Sequence, residues 1–348
     1  MTAQLVAPAD ETTTPRRRTH RARVVVATVV SLAVLVAGVL WALSIGSQPI
    51  PLSTVLRSLF AGDSPDEAIV RVVRLPRVVL ATLVGANLAV SGALMQGITA
   101  NPLAAPDIMG VNAGAAVCVV LAITTIPVLA GTPSVLLAFL GAGAAGITVM
   151  VLAGMGGGRV SPVRLTLAGV TASTLLISLT QVLVIFHEND AQRVLFWLVG
   201  GVNFANWDSV RTVLPWTVLG LAVAMAMARA MNLLALGEDM ARGLGQNVER
   251  TRAAGAAIVI VLCGASVAVA GPIAFVGLIV PHIARRLVGA SYAVVLPLCV
   301  LLGAALTVFA DIASRFVNPP FEVPSGVVTA LIGAPIFIYL ARLQKATP

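Results

Sequence analysis

The spacing of charge along the chain constrains its fold most. Eight long stretches contain no Asp, Glu, Lys or Arg: 24–56, 78–106, 108–158, 165–187, 212–228, 253–284, 287–310 and 323–341. About 20 apolar residues carry a helix across a hydrocarbon core, so this punctuation predicts one polytopic, all-α membrane domain rather than several soluble ones. Composition agrees: 58% of the 348 residues are hydrophobic and 10% charged, whereas a soluble domain carries about 25% charged residues.

Two stretches are too long for one crossing. As a single helix, residues 108–158 would reach roughly 75 Å, more than twice the bilayer core. The cluster from Ile126-Pro127 to Thr132-Pro133-Ser134 is the natural break there, and Gly271-Pro272 divides 253–284. Ten spans result, near 24–45, 78–98, 108–126, 134–154, 165–187, 212–229, 253–270, 272–286, 288–310 and 323–342. The eighth piece is short and is expected to end at Pro281-His282. Residues 1–23, with Arg16, Arg17, Arg18, Arg21 and Arg23, are expected to be a disordered basic tail before a retained first helix. The 22 uncharged residues that follow are too many for a signal-peptide core.

An even number of spans puts both termini on one side. With that side cytoplasmic, the inner segments hold 15 basic residues and the outer ones 7 (Arg57, Arg71, Arg74, Arg77, Arg193, Arg211 and Arg315). The positive-inside rule therefore predicts both ends in the cytoplasm. The net charge of +8 is spread between apolar runs as a topology signal, so no nucleic-acid partner is expected. Glycine, 31 residues in all, suits close helix approach in lipid, as at Gly110-x-x-x-Gly114. No alternation of a membrane barrel is present.

Several chemistries are excluded on the residues themselves. Gly141-Ala-Gly143-Ala-Ala-Gly146 spells a dinucleotide fingerprint but lies mid-span with no strand before it, so it reads as helix packing. Lys345, the sole lysine, cannot serve a P-loop, and ATP-driven work would have to come from a partner. Cys118, Cys263 and Cys299 are far apart and read as small buried hydrophobes. His20, His187 and His282 are isolated, so no catalytic group, cofactor or metal site is expected. The spans also lack the buried carboxylates of proton- or sodium-coupled carriers, Asp311 near one end excepted. Ion-coupled secondary transport stays open as an alternative, and a membrane enzyme ranks below it.

Three loop segments stand out. Arg71-Val-Val-Arg74-Leu-Pro-Arg77, joined by Arg315, places arginines on the outer side, where they could anchor lipid headgroups or grip an acidic partner. Residues 230–246 form a cytoplasmic segment in which Glu238 and Asp239 open a short helix and Arg242 closes it, in keeping with the helix dipole. That helix could lie at the membrane surface or fit a groove on a motor subunit. Asn101-Pro-Leu-Ala-Ala-Pro106 breaks the helix between spans two and three, where backbone lines a cavity.

These segments resemble the FecCD-type permeases, which include vitamin B12 and ferric-siderophore importers. The resemblance rests on Arg74-Leu-Pro-Arg77 through Gly85-Ala-x-Leu-Ala-x-Ser-Gly-Ala-x-Met-Gln96 to Asn101-Pro-Leu-Ala-x-Pro106, then Leu234-Ala-Leu-Gly237-Glu238. It continues through Gly271-Pro-Ile-Ala-Phe-Val-Gly-Leu-Ile-Val-Pro-His282 and Pro324-Ser-Gly326 to Gly333-Ala-Pro335, in the family's order. It implies ten spans per subunit, a homo- or heterodimer enclosing one pathway, two cytoplasmic ATPases and an extracytoplasmic binding protein. Arg74, Arg77 and Arg315 would receive glutamates of the binding protein. Leu236, Gly237, Glu238 and Arg242 would sit on the ATPase. Asn101, Leu103 and Ser161 would form an inner gate, and the fifth span would line the pathway with Thr171, Ser173 and Ser178. The cargo implied is a ferric siderophore, with heme or cobalamin as alternatives, and the site of action is the bacterial cytoplasmic membrane.

Overall fold

A computed structural model describes residues 14–46, 48–58, 60, 64–124, 134–154, 162–317 and 321–345. The chain runs through α1 (Thr14–Ser44), α2 (Leu52–Ser58), α3 (Pro65–Ile69), α4 (Leu75–Ile98), α5 (Val111–Thr124), α6 (Ser134–Gly154) and α7 (Pro162–Phe186). It continues with α8 (Glu188–Val199), α9 (Trp207–Ala226), α10 (Ala228–Leu234), α11 (Glu238–Gly243), α12 (Val248–Ala270), α13 (Val276–Val288), α14 (Tyr292–Ser314) and α15 (Ser325–Lys345). Among the described residues, seven helical stretches are long and apolar enough to cross a membrane, one of them the continuous run Pro65–Ile98. Val111–Ala122 and Ser325–Tyr339 are shorter apolar helices, and α13 has 13 residues. The fold is that of a multi-pass, all-helical membrane protein.

Helix α4 is the hub, flanked by α14, α12, α13 and α9. In its most apolar window 83% of residues are buried, against 11% for α7, so α4 is the core of the chain and α7 its periphery. Backbone contact explains how so many helices reach α4. A Cβ added at Gly92 would lie 1.7 Å from the Gly277 carbonyl oxygen, a distance at which only glycine fits. Such close approach is how helices gain packing energy where lipid removes the hydrophobic drive between them. Two glycines of the hexad have the same purpose: Gly141 lies against Gly114, and a Cβ at Gly146 would strike the Ile260 side chain, whereas Gly143 faces open space.

Three local features differ from the sequence expectation. Residues 14–23, read as part of a disordered tail, are the first turns of α1; arginine is a good helix former, and Arg23 donates to the carbonyls of Arg286 and Leu287 at the end of α13. Residues 1–13 lie outside the described residues. Helix α13 passes through Pro281 and ends only before Gly289, whose φ of 84° stops it. Its start is delayed past Gly271-Pro272 by a non-helical stretch ending at Phe275, itself left-handed at φ 68°. Helix α8 occupies what charge spacing marked as loop, because Glu188, Asp190 and Arg193 interrupt its apolar residues.

The hub's entrance carries one irregularity with consequences. A capping box between Ser64 and Glu67 starts α3, and the chain then passes through a π-helical turn, Val70–Arg74, into α4. A π-turn inserts a residue into the helical repeat. Arg74 and Arg77 face inward, both under a tenth exposed, while Val72 and Val73 face outward.

Candidate functional site

Two clusters of named side chains lie at opposite ends of α4, whose 24 residues span about 36 Å. At its first turn the structure brings Arg74, Arg77 and Arg315 together. Helix α1 ends at Ser44 with no basic residue in its last turn, so its final carbonyls need donors from elsewhere. Arg315 supplies two, to the Ala42 oxygen at 2.9 Å and the Ile45 oxygen at 2.7 Å. Arg74 donates to the Leu43 oxygen at 2.8 Å and to that of Gln48. These two guanidinium groups are the C-terminal cap of α1, with charge of the sign the helix dipole favours there.

Asp311 ties the cluster. It is 1% exposed and accepts from Arg77 Nε at 3.0 Å and Nη2 at 2.8 Å, and from Arg315 Nη2 at 2.7 Å. Arg77 also donates from Nη1 to Glu322 Oε2 at 2.6 Å, and Asn203 Nδ2 donates to the same oxygen at 3.3 Å. Arg77 and Arg315 thus pair with two carboxylates while Arg74 rests on backbone carbonyls, and Glu322, with its side chain 40% exposed, is the cluster's contact with the outside. The arginines expected to present themselves to a partner point into their own fold. Only Asp311, visible in the sequence as the lone acid at a span end, hinted at this.

The opposite end holds the second cluster. Gly237 at φ 105° and Gly245 at φ 82° bracket α11, and backbone of that hand is cheap only for glycine. Glu238 pairs with Arg242 within α11 and with Arg252 at 3.1 Å; Arg242 also reaches Glu249 at 2.7 Å. Glu238 and Arg242 therefore latch the short helix to the start of α12. Leu236, Met240 and Leu244 lie four residues apart, each more than half exposed. Nothing lies within 4 Å of a Cβ added at Gly237, Gly243 or Gly245. Of this stripe, sequence reasoning identified Leu236 alone; the four-residue spacing of Leu236, Met240 and Leu244 was the signal it passed over.

Beside this end lies the break after α4. Ala100 is left-handed at φ 48°, Asn101 is exposed, and its Oδ1 accepts from Leu103 N at 2.9 Å. A 3-10 turn, Pro106–Met109, follows and ends at Gly110. Helix α7 rests directly on it, since a Cβ at Gly169 would be 1.6 Å from the Ile108 oxygen and Ser173 Oγ lies beside Gly110. The structure thus seats Ser173 against the end of the 3-10 turn that follows the Asn101–Leu103 loop. Thr171 and Ser178 sit on exposed parts of α7, away from that contact, and Ser161 lies outside the described residues. No cluster of three or more His, Cys, Asp or Glu suited to a metal occurs among the described residues.

The chain is similar to known proteins over most of its length. The chain is 44% identical to the Fe(3+)-citrate import permease YfmD of Bacillus subtilis, covering 90% of this chain and 93% of that one. It is also 44% identical to the iron(3+)-hydroxamate import permease FhuB of the same organism, over 94% and 85%. A solved structure of a metal-chelate type ATP-binding-cassette transporter, in an inward-facing conformation, superposes with a TM-score of 0.81 at 30% identity, covering 90% of this chain and 98% of that one. Residues 34–343 match the model of the FecCD transport family, and the chain belongs to that family.

Proposed function

We propose that this chain is the membrane-spanning permease subunit of an ATP-binding-cassette importer for a ferric siderophore or related iron chelate. The observation that carries the reading is α11: a short helix with Leu236, Met240 and Leu244 uncovered, hung between left-handed glycines and latched to α12. A separate ATPase would cover that stripe and supply the energy that this chain has no nucleotide motif to harvest. The relatives' iron(3+)-citrate and iron(3+)-hydroxamate names support the cargo class.

Ten spans with both termini cytoplasmic fit the 15-to-7 distribution of basic residues. The eighth span would be the short α13, and residues 1–13 would stay in the cytoplasm of a bacterial cell. The bareness of α7 suits a dimer, its partner homo- or heteromeric, with Thr171, Ser173 and Ser178 along a shared pathway and Asn101, Leu103 and Ser161 at its inner gate. Rigid-body rocking of the two subunits would alternate access.

At the outer end, a binding-protein glutamate would reach Arg77 by displacing Glu322, the one partly exposed member of the cluster. Arg74 and Arg315 would then hold the floor on which Arg77 stands. The test is uptake of labelled ferric hydroxamate, ferric citrate and cobalamin by cells with and without this protein. ATP depletion and proton-gradient collapse are applied separately. Loss of iron-chelate uptake that follows ATP supports the reading; loss of cobalamin uptake alone replaces the cargo. Uptake that follows the gradient replaces it with ion-coupled transport.

A further inference from the structure

We infer that Gln96 and Arg285 are positioning residues that carry movement of the α10–α11 segment to the Asn101–Leu103 loop. The inference rests on the permease reading and adds the route by which force reaches the gate. The route is an unbroken series of hydrogen bonds. Helix α14 begins without a side-chain cap from Ser291, and Asn232 of α10 fills that role, its Oδ1 accepting from Tyr292 N at 2.7 Å. The Tyr292 hydroxyl accepts from Arg285 Nη2 at 3.4 Å, and the guanidinium stacks 5.8 Å from the ring centroid. Arg285 Nη1 donates to Gln96 Oε1.

From Gln96 the series divides. Its Nε2 points at the carbonyls of Gly277 and Leu278, 3.4 and 3.3 Å away, in the first turn of α13. Its backbone oxygen accepts from Asn101 N at 3.1 Å, closing the turn on which Leu103 hangs. Gln96 thus holds both ends of α13 and the start of the gate loop, while being only 3% exposed. Gly97 makes this possible: a Cβ there would lie 2.3 Å from the Tyr292 hydroxyl and 2.4 Å from Met231 Cε.

Polar groups buried at a membrane boundary resist separation because each loses its partner in a low dielectric. A displacement of α10 is therefore passed on rather than absorbed. An apolar residue at position 96 would fill the space and leave the segments free to slip.

The experiment uses the complete transporter, permease with its ATPases and binding protein in proteoliposomes, and reads ferric hydroxamate uptake per ATP hydrolysed. Gln96→Leu and Arg285→Met are each expected to lower this ratio about tenfold, within the range by which residues of such a network alter coupling. ATP hydrolysis itself is expected to stay within about twofold. The double variant should be no worse than either single one, since both break one series. Gln96→Glu, which keeps an acceptor for Arg285 but gives up the donor to Gly277 and Leu278, should restore part of the ratio, a rescue that a space-filling role would not produce. If Gln96→Leu fails to assemble, Arg285→Met, at a position only partly buried, decides alone. A wild-type ratio in the Arg285 variant, or failure of Gln96→Glu to rescue, overturns the inference while leaving the permease reading intact. A wild-type complex that moves neither ferric hydroxamate nor ferric citrate overturns the iron-chelate reading first.

Discussion

Arginine is used in opposite ways at the two ends of α4. At its first turn, Arg74, Arg77 and Arg315 are drawn inside, where they cap α1 and enclose Asp311. At the other end, the partly exposed Arg242 and the buried Arg252 join Glu238 and Glu249 in a latch that holds a short helix. The first cluster is built to stay still. The second leaves its apolar stripe bare and its helix attached by polar contacts and two glycine hinges. The difference separates an enclosed anchor from a short helix held by partly exposed ion pairs, although both are made of arginines and carboxylates.

The comparison breaks most readily at Asp311. Replacing it with Asn leaves Arg77 and Arg315 buried with their shared partner uncharged, a defect that costs about 3–5 kcal/mol when half of a buried ion pair is lost. The expected result is a large fall in the thermal midpoint and yield of the detergent-solubilised protein. Wild-type melting would show that the cluster is not an anchor. Next comes Gly92→Ala, which forces α4 away from α13 and should cost about 1–3 kcal/mol as an overpacked contact, read by the same melting measurement.

At the other end the order of effects reverses. Met240→Glu and Leu244→Glu, on exposed positions, should change melting by no more than about 0.5 kcal/mol. Assembly with the ATPases should nonetheless weaken about tenfold or more, as for a central apolar anchor of an interface. Unchanged co-purification would remove α11 from the interface. The double replacement Glu238→Ala, Arg242→Ala should cost about 1–3 kcal/mol of stability, because it also takes a carboxylate from the buried Arg252, and should uncouple hydrolysis from uptake; wild-type coupling would retire that role. The smallest effect belongs to Glu322→Gln, which frees Arg77 for a partner carboxylate. Binding-protein docking should tighten about two- to threefold and become more sensitive to salt. Weaker docking would mean that Glu322 belongs to the interface.

The helices were legible before any coordinates. Each of the ten expected ranges holds a helix, because a charge-free run of about 20 residues has few other ways to satisfy its backbone in lipid. The division at Gly271-Pro272 and the helix-packing role of Gly141 and Gly146 followed from the same local chemistry. Helix α8 was missed because its charged residues break the run, although its apolar positions recur at helical spacing. The arginines show the other limit. Charge counting grouped Arg74, Arg77 and Arg315 correctly in space, but it had no means of finding which way they point.

That direction is set by a π-turn, by the bare carbonyls at the end of α1 and by an aspartate 234 residues further along the chain. None of these is a local property. The sequence by itself determined that the chain lives in a membrane, which runs become helices, that it holds no nucleotide motif, and which segments carry family chemistry. Each depends on residue type and short-range spacing. The tertiary structure alone decided that α4 is the hub and that α1 is capped by arginines from elsewhere. It also decided that α11 bares three apolar residues and that Gln96 meets Arg285, because a hydrogen bond forms between groups that folding brings within 3 Å, however far apart they lie in the chain.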